Sequence, residues 1–124
     1  TDGSHGAQQP ADPSNLTRRL ANLHHHSMSP AGMFGFHVKT SHGGVEQHVD
    51  QWDDSWAALF GRRLGHMMEI AKPTLNWPGF DVVCASTLEK VVPRLLISLQ
   101  EHGRVLKPSH VRGDCWDGNA ALDA

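Results

Sequence analysis

At 124 residues and 13.6 kDa the chain is long enough for one domain and too short for two ordinary ones, which argues against a complete multi-lobed enzyme. Leu, Ile, Val and Phe fill 27 positions, about 22%, just above the roughly 20% below which chains tend not to fold, so any core is thin. Eleven Lys and Arg against thirteen Asp and Glu give a formal charge of -2 and a pI near 6.5, which argues against nucleic acid and against an anionic membrane as partners.

Residues 1–15 hold no Leu, Ile, Val, Phe or Trp and are broken by Gly and Pro, which predicts a disordered lead or surface loop. Leu16, Leu20 and Leu23 then recur at i, i+4 and i+7, with Ser14 or Asn15 as N-cap, predicting a short amphipathic helix that ends near His24-His25-His26. Pro30 and Gly32 break the chain, and alternation of Phe34, Phe36 and Val38 predicts a strand or hairpin arm. A second helix is expected from an Asp53 or Asp54 cap, with Trp56, Leu59, Phe60, Met67 and Ile70 near one stripe and closure at Lys72-Pro73. Gly61 and Gly65 either weaken that helix, by about 1 kcal/mol each relative to Ala, or admit a close neighbour.

Pro78-Gly79 predicts a loop over residues 74–83. Ser86-Thr87-Leu88-Glu89 then has capping-box spacing, and Leu88, Val91, Val92, Leu95, Leu96 and Leu99 follow helical periodicity. Pro93 should kink this third helix or start a new segment, and Gly103 stands where a C-terminal cap belongs. Its apolar face calls for later helices to cover it, so an exposed patch and self-association are expected.

Cys84 and Cys115 form no C-x-x-C pair and no disulfide framework, which fits a reducing, cytoplasmic location. No apolar run approaches the roughly 18 residues of a membrane span, and the start has no signal-peptide pattern. The chain opens on Thr1 and closes on Ala-Leu-Asp-Ala with no stop signal, so both ends are expected to be cut from a longer sequence.

Ten histidines invite a metal hypothesis, but successive helical residues point about 100° apart, so His24, His25 and His26 cannot all face one ion from a helix. Arg112-Gly113-Asp114 spells an integrin-binding tripeptide, a remote alternative that implies an extracellular adhesive loop. More informative is the stretch 111–119, where Asp114 precedes Asn119 by five residues just after an apolar segment. That is the catalytic-loop spacing of protein-kinase-like phosphotransferases, in which Asp orients the attacking hydroxyl and Asn holds magnesium on the phosphates. Turn and cap roles for Asp114 and Asn119 fit the same residues.

Several further motifs stand in order along the chain. They are Leu20-Ala21-Asn22-Leu23-His24, Ser27-Met28-Ser29-Pro30-Ala31-Gly32-Met33-Phe34-Gly35-Phe36, Trp52-Asp53-Asp54-Ser55-Trp56, Val92-Pro93-Arg94-Leu95-Leu96, and Lys107-Pro108-Ser109 leading into Asp114-Cys115-Trp116-Asp117-Gly118-Asn119. Over residues 16–124 the chain thereby resembles the fructosamine kinases, also called ketosamine-3-kinases or protein-ribulosamine 3-kinases. The resemblance implies an α+β fold, mainly α in this segment, forming the start of the C-terminal lobe of a protein-kinase-like, aminoglycoside- and choline-kinase-like enzyme and ending just after the catalytic loop.

It further implies transfer of the ATP γ-phosphoryl group to the 3-hydroxyl of ketosamines, either free or on glycated protein lysines, with ATP and Mg2+ as cofactors. Asp114 would be the catalytic base, Asn119 the residue that binds magnesium and hence the nucleotide, and Trp116 a wall of the sugar-amine pocket. Ordinary packing beneath the loop fits Trp116 nearly as well. No role follows for Gln47 or Trp52. Arg112 stands where the family has His, and Cys115 where it has Leu, which puts the loop geometry in question. A phosphate loop, a strand Lys with its helix Glu and a second metal-binding Asp cannot be placed in residues 1–124, so the isolated chain is expected to be inactive. The alternative is a catalytically dead relative that binds a partner through the Trp116 region.

Overall fold

The computed structural model describes residues 12–114. They fall into two units, residues 12–28 with 109–114, and residues 29–108.

In the first unit, helix α1 (Pro13–His26) starts three residues earlier than its leucine spacing suggests. Asp12, rather than Ser14 or Asn15, is the N-cap: its carboxylate accepts from the Ser14 N–H at 3.1 Å, and Pro13 occupies the first turn. Proline suits that position because its φ is already helical and it has no N–H to satisfy. What reads as a breaker-rich lead therefore contains a helix start at its end, while residues 1–11 lie outside the described residues. Leu16 and Leu20 are half-buried and none of the helix is fully buried.

The second unit opens on Phe34, Gly35 and Phe36, which run antiparallel to residues 49–53 without forming a regular strand. Phe34 and Asp53 exchange both main-chain hydrogen bonds, at 2.7 and 2.8 Å, and the Phe36 N–H reaches the Val49 carbonyl at 2.7 Å. Gly35 lies at φ +139°, and a Cβ there would press to 3.1 Å from the Gln51 carbonyl oxygen and the Trp52 ring. A side chain fits neither the backbone nor the space. The strands lie further on, as a hairpin of β1 (Thr40–His42) and β2 (Val45–Gln47) with Thr40 opposite Gln47. Gly43-Gly44 makes its two-residue turn, Gly43 at φ +58°, the composition such tight hairpins favour.

Helix α2 (Trp56–Leu75) is capped by Ser55, whose hydroxyl accepts from the Ala58 N–H at 3.2 Å. Asp53 and Asp54, the expected caps, instead support it. Asp53 accepts from the Ser55 N–H at 2.8 Å and pairs with Arg62, while the Asp54 carbonyl accepts from the Gln100 amide at 2.8 Å. The Gln100 carbonyl oxygen takes the Trp56 N–H at 2.7 Å, so two free N–H groups of the first turn have partners. Phe34, Trp56 and Phe60 stack beside this clasp with centroids 5.6 and 5.8 Å apart. At the far end the helix runs through Pro73, against the expected closure there, and stops at Asn76 in the left-handed region. Proline in the last turn sacrifices one bond, to the carbonyl four residues back, and the remaining turn survives. Lys72 meets Asp81 at 2.6 Å across the corner.

The expected loop over 74–83 ends early. Pro78-Gly79 makes a turn closed by the Phe80 N–H on the Trp77 carbonyl at 3.0 Å, and α3 (Phe80–Ser86) begins at once. Ser86 is thus already helical and its side chain caps nothing, so the capping-box spacing is a coincidence inside a helix. A π-helical turn (Thr87–Val91) follows, then α4 (Val92–Leu96) and a 3-10 turn (Ile97–Leu99). Pro93 explains the break: lacking an N–H it cannot continue the ladder, and the Val92 N–H reaches back five residues to the Thr87 carbonyl. His102 and Gly103, both at positive φ, then turn the chain, with the Arg104 N–H on the Glu101 carbonyl at 3.0 Å.

The π turn splits the apolar stripe. Leu88 and Val92 face α2, opposite Gly65 and Gly61, whereas Val91, Leu95 and Leu99 remain exposed, Leu95 at 62%. Val49, Ala57, Leu59, Cys84 and Val92 are the buried hydrophobic residues among those described. No helix among the described residues is long and apolar enough to cross a membrane.

A Cβ on Gly61 would sit 3.7 Å from Val92, an ordinary contact, and one on Gly65 3.4 Å from Leu88. Gly61→Ala should therefore stabilise by about 0.5–1 kcal/mol through helix propensity, while Gly61→Leu should destabilise by about 1–3 kcal/mol through overpacking. Urea midpoints of the two variants check both signs. Arg62 and the Ser55 N–H hold the Asp53 carboxyl below its ordinary value, so its contribution is present above the unfolded value near pH 4 and is lost as pH falls through the lower folded one. Asp53→Asn, which keeps the acceptor for Ser55, should cost about 0.5–1 kcal/mol at pH 7, with the difference from the parent chain vanishing in strong acid; unfolding curves across pH measure it.

Candidate functional site

Of the residues expected to carry chemistry, Asp114 is described and Trp116 and Asn119 lie outside the described residues, as does Cys115, which departs from the family pattern. The site is therefore built from the segment 109–114 that delivers Asp114, and from what holds that segment.

The C-terminal end of α1 provides the support. Ser27, half-buried just past the helix, donates its hydroxyl to the His110 carbonyl at 3.3 Å and accepts the His110 N–H at 2.9 Å. His24, one turn back and also half-buried, accepts the Arg112 N–H on Nε2 at 3.3 Å. Contacts to residues 110 and 112 use main-chain groups two apart, as expected where an extended segment turns every second N–H to the same side. Of the three consecutive histidines, His24 contacts Arg112, while His25 and His26 contact each other. His26 Nδ1 lies 3.0 Å from the Asn22 carbonyl of its own helix, and the His25 and His26 rings meet edge to face at 4.8 Å.

Gly113 and Asp114 follow, Asp114 at φ +55°. A non-glycine residue in the left-handed region is uncommon, and Asp is among the few types that tolerate it. The turn reading and the catalytic reading of Asp114 are thus compatible: the residue occupies a special backbone conformation and its carboxylate is exposed. Arg112, which departs from the family pattern, is exposed as well, and α1 grips position 112 through its main chain, so that grip does not depend on the side chain there.

Elsewhere the chemistry is sparse. Among the described residues no group of three or more His, Cys, Asp or Glu is arranged to hold a metal ion, and His48 and His66 simply pack ring on ring at 4.4 Å. The described residues therefore do not make a complete magnesium site. An open groove in the second unit, bordered by Ala58, Gly61, Gly65, Leu88, Pro93 and Ile97, is lined chiefly by small and aliphatic groups. Gln47, for which the sequence suggests no role, accepts a hydrogen bond from Arg63 and ties β2 to α2.

The fructosamine kinase family profile matches residues 4–124. The chain belongs to the fructosamine kinase family. It is 27% identical over 122 residues to a chloroplastic protein-ribulosamine 3-kinase of Arabidopsis thaliana, covering 98% of this chain and 33% of that protein. To a probable ketoamine kinase of Staphylococcus aureus it is 29% identical over 119 residues, 95% of this chain and 37% of the relative. A chloroplastic protein-ribulosamine 3-kinase of Oryza sativa is 27% identical over 113 residues, 90% of this chain and 31% of the relative. The chain thus spans about a third of the length of these curated relatives. No solved structure matches it. Membership in this family makes the chain part of a phosphotransferase lineage, and the mixed, mainly helical α+β architecture accords with it.

Motif spacing singles out Asp114 but not the residues that hold its segment. His24 and Ser27 stand in the Leu-Ala-Asn-Leu-His and Ser-Met-Ser-Pro motifs. Their partners lie 83 to 88 residues away, a pairing that no local pattern encodes.

Proposed function

We propose that this chain is the part of a ketosamine-3-kinase that carries its catalytic loop, from the start of a kinase-like C-terminal lobe to just past that loop, residues 16–124. The reaction is transfer of the ATP γ-phosphoryl group to the 3-hydroxyl of a fructosamine or ribulosamine, free or borne on a protein lysine. The observation that carries it is Asp114, exposed, fixed at a left-handed turn and five residues before Asn119, in a chain of the fructosamine kinase family.

Asp114 accepts the proton of the attacking 3-hydroxyl while the new phosphorus–oxygen bond forms and the bond from the γ-phosphorus to the bridging oxygen breaks, with ADP as the leaving group. A carboxylate is suited to this because its oxygens accept a hydrogen bond from a hydroxyl and can take its proton. Asn119 is the ligand for the magnesium that accompanies ATP, and that ion neutralises charge on the phosphates. Trp116 is a wall for the sugar and its cationic amine. The cysteine usage supports a reducing compartment such as the cytoplasm, the near-neutral charge balance supports no nucleic-acid or membrane partner, and exposed Val91, Leu95 and Leu99 support self-association of the isolated segment.

Expressed in its full reading frame, the protein should phosphorylate a ribulosylated lysine peptide with MgATP. Asp114→Asn should lower kcat by about 10²–10⁴-fold with little change in KM, the range for loss of a general base. Undiminished turnover by that variant would overturn the role of Asp114. The 124-residue chain alone should show no turnover, and activity in it that Asp114→Asn abolishes would contradict the need for further chain.

A further inference from the structure

We propose that His24 and Ser27 are positioning residues that set the geometry of the catalytic loop from behind, and that they do so through its main chain. The proposal rests on the assignment of Asp114 as catalytic base and adds to it the part that presents that base.

Asp114 holds a backbone conformation that costs of order 1 kcal/mol for a residue with a side chain, so something must over-determine it. In the two residues before Gly113 and Asp114 there is little burial to do so: Val111 is 67% exposed and Arg112 is exposed. Hydrogen bonds to α1 supply the constraint. Ser27 pairs with His110 in both directions, to the N–H of the peptide before it and the carbonyl of the peptide after it, which fixes the residue's orientation and not merely its distance. His24 holds Arg112, two residues before Asp114. Each such bond is worth about 0.5–1.5 kcal/mol, and together they anchor the segment that leads into the left-handed turn.

The contact also dictates the state of the histidine. To accept an N–H, Nε2 must carry a lone pair, so the His24 ring is neutral with its proton on Nδ1. Lysine or arginine at 24 could not replace it, whereas the side-chain carbonyl of glutamine could. Ser27 must both donate and accept, which alanine and valine cannot do.

The test uses the chain as it stands, without substrate, together with kinetics of the full reading frame. In the 15N spectrum of the parent chain, His24 Nε2 should be the unprotonated nitrogen; a proton on Nε2 overturns the contact without any substitution. His24→Leu should speed amide exchange at Arg112, and Ser27→Ala at His110, by about five- to tenfold, the loss of one bond, with the helical circular dichroism of α1 retained. His24→Gln should restore protection at Arg112. In the full reading frame His24→Leu should lower kcat several-fold while KM for the ketosamine stays within twofold, with recovery in His24→Gln. Unchanged exchange in His24→Leu, or equal loss in the Gln and Leu variants, would overturn the proposal. Absence of kinase activity in the parent protein would instead count against the assignment of Asp114 and leave the exchange result to decide the contact.

Discussion

With so little of the chain buried, its geometry depends on satisfying main-chain N–H and C=O groups wherever a helix starts or a loop turns. Only Val49, Ala57, Leu59, Cys84 and Val92 form the buried apolar set among the described residues. Three such places have a polar side chain on the backbone: Asp12 at the head of α1, Ser55 and Gln100 at the head of α2, Ser27 and His24 on the segment that leads to Asp114. Such bonds contribute about 1 kcal/mol each, small against a large core but decisive where no core competes.

The same constraint explains the helix pair of the second unit. Gly61 and Gly65 let Leu88 and Val92 approach α2 closely, and Pro93 forces the π turn that directs those two residues inward while leaving Val91 and Leu95 outside. Gln100 then fastens the end of the broken helix to the start of α2. Val91, Leu95 and Leu99 thereby keep an apolar face exposed among the described residues.

Much of this was legible in the sequence where the signal is local. Leucine spacing located α1, the Trp56 stripe located α2 and Pro93 marked the segment break, whereas Gly103, expected as a helix cap, lies in a turn beyond Gln100, which is the cap. Failures occurred where one residue type has two uses. Pro13 and Pro78-Gly79 read as breakers but stand at helix starts, Ser86 has a capping partner by spacing yet lies mid-helix, and the Phe34 to Phe36 alternation pairs through a single bridge because Gly35 has to let Trp52 close on it. For the site, spacing and family motifs pointed to Asp114, Trp116 and Asn119. The hold of His24 and Ser27 was invisible, since a contact across more than 80 residues is a property of the fold and leaves no periodicity.

The central claim is that the proposed catalytic loop is set in advance, by its own chain, with Asp114 in the left-handed region. That conformation brings a residue's own amide and α protons close together, whereas extended backbone holds them apart. The most direct measurement is the intraresidue amide-to-α-proton nuclear Overhauser effect of Asp114 in the free chain, with neither nucleotide nor ketosamine present. A strong effect, comparable to that of left-handed Asn76, is the predicted result. A weak one, typical of extended or averaged backbone, would contradict the account.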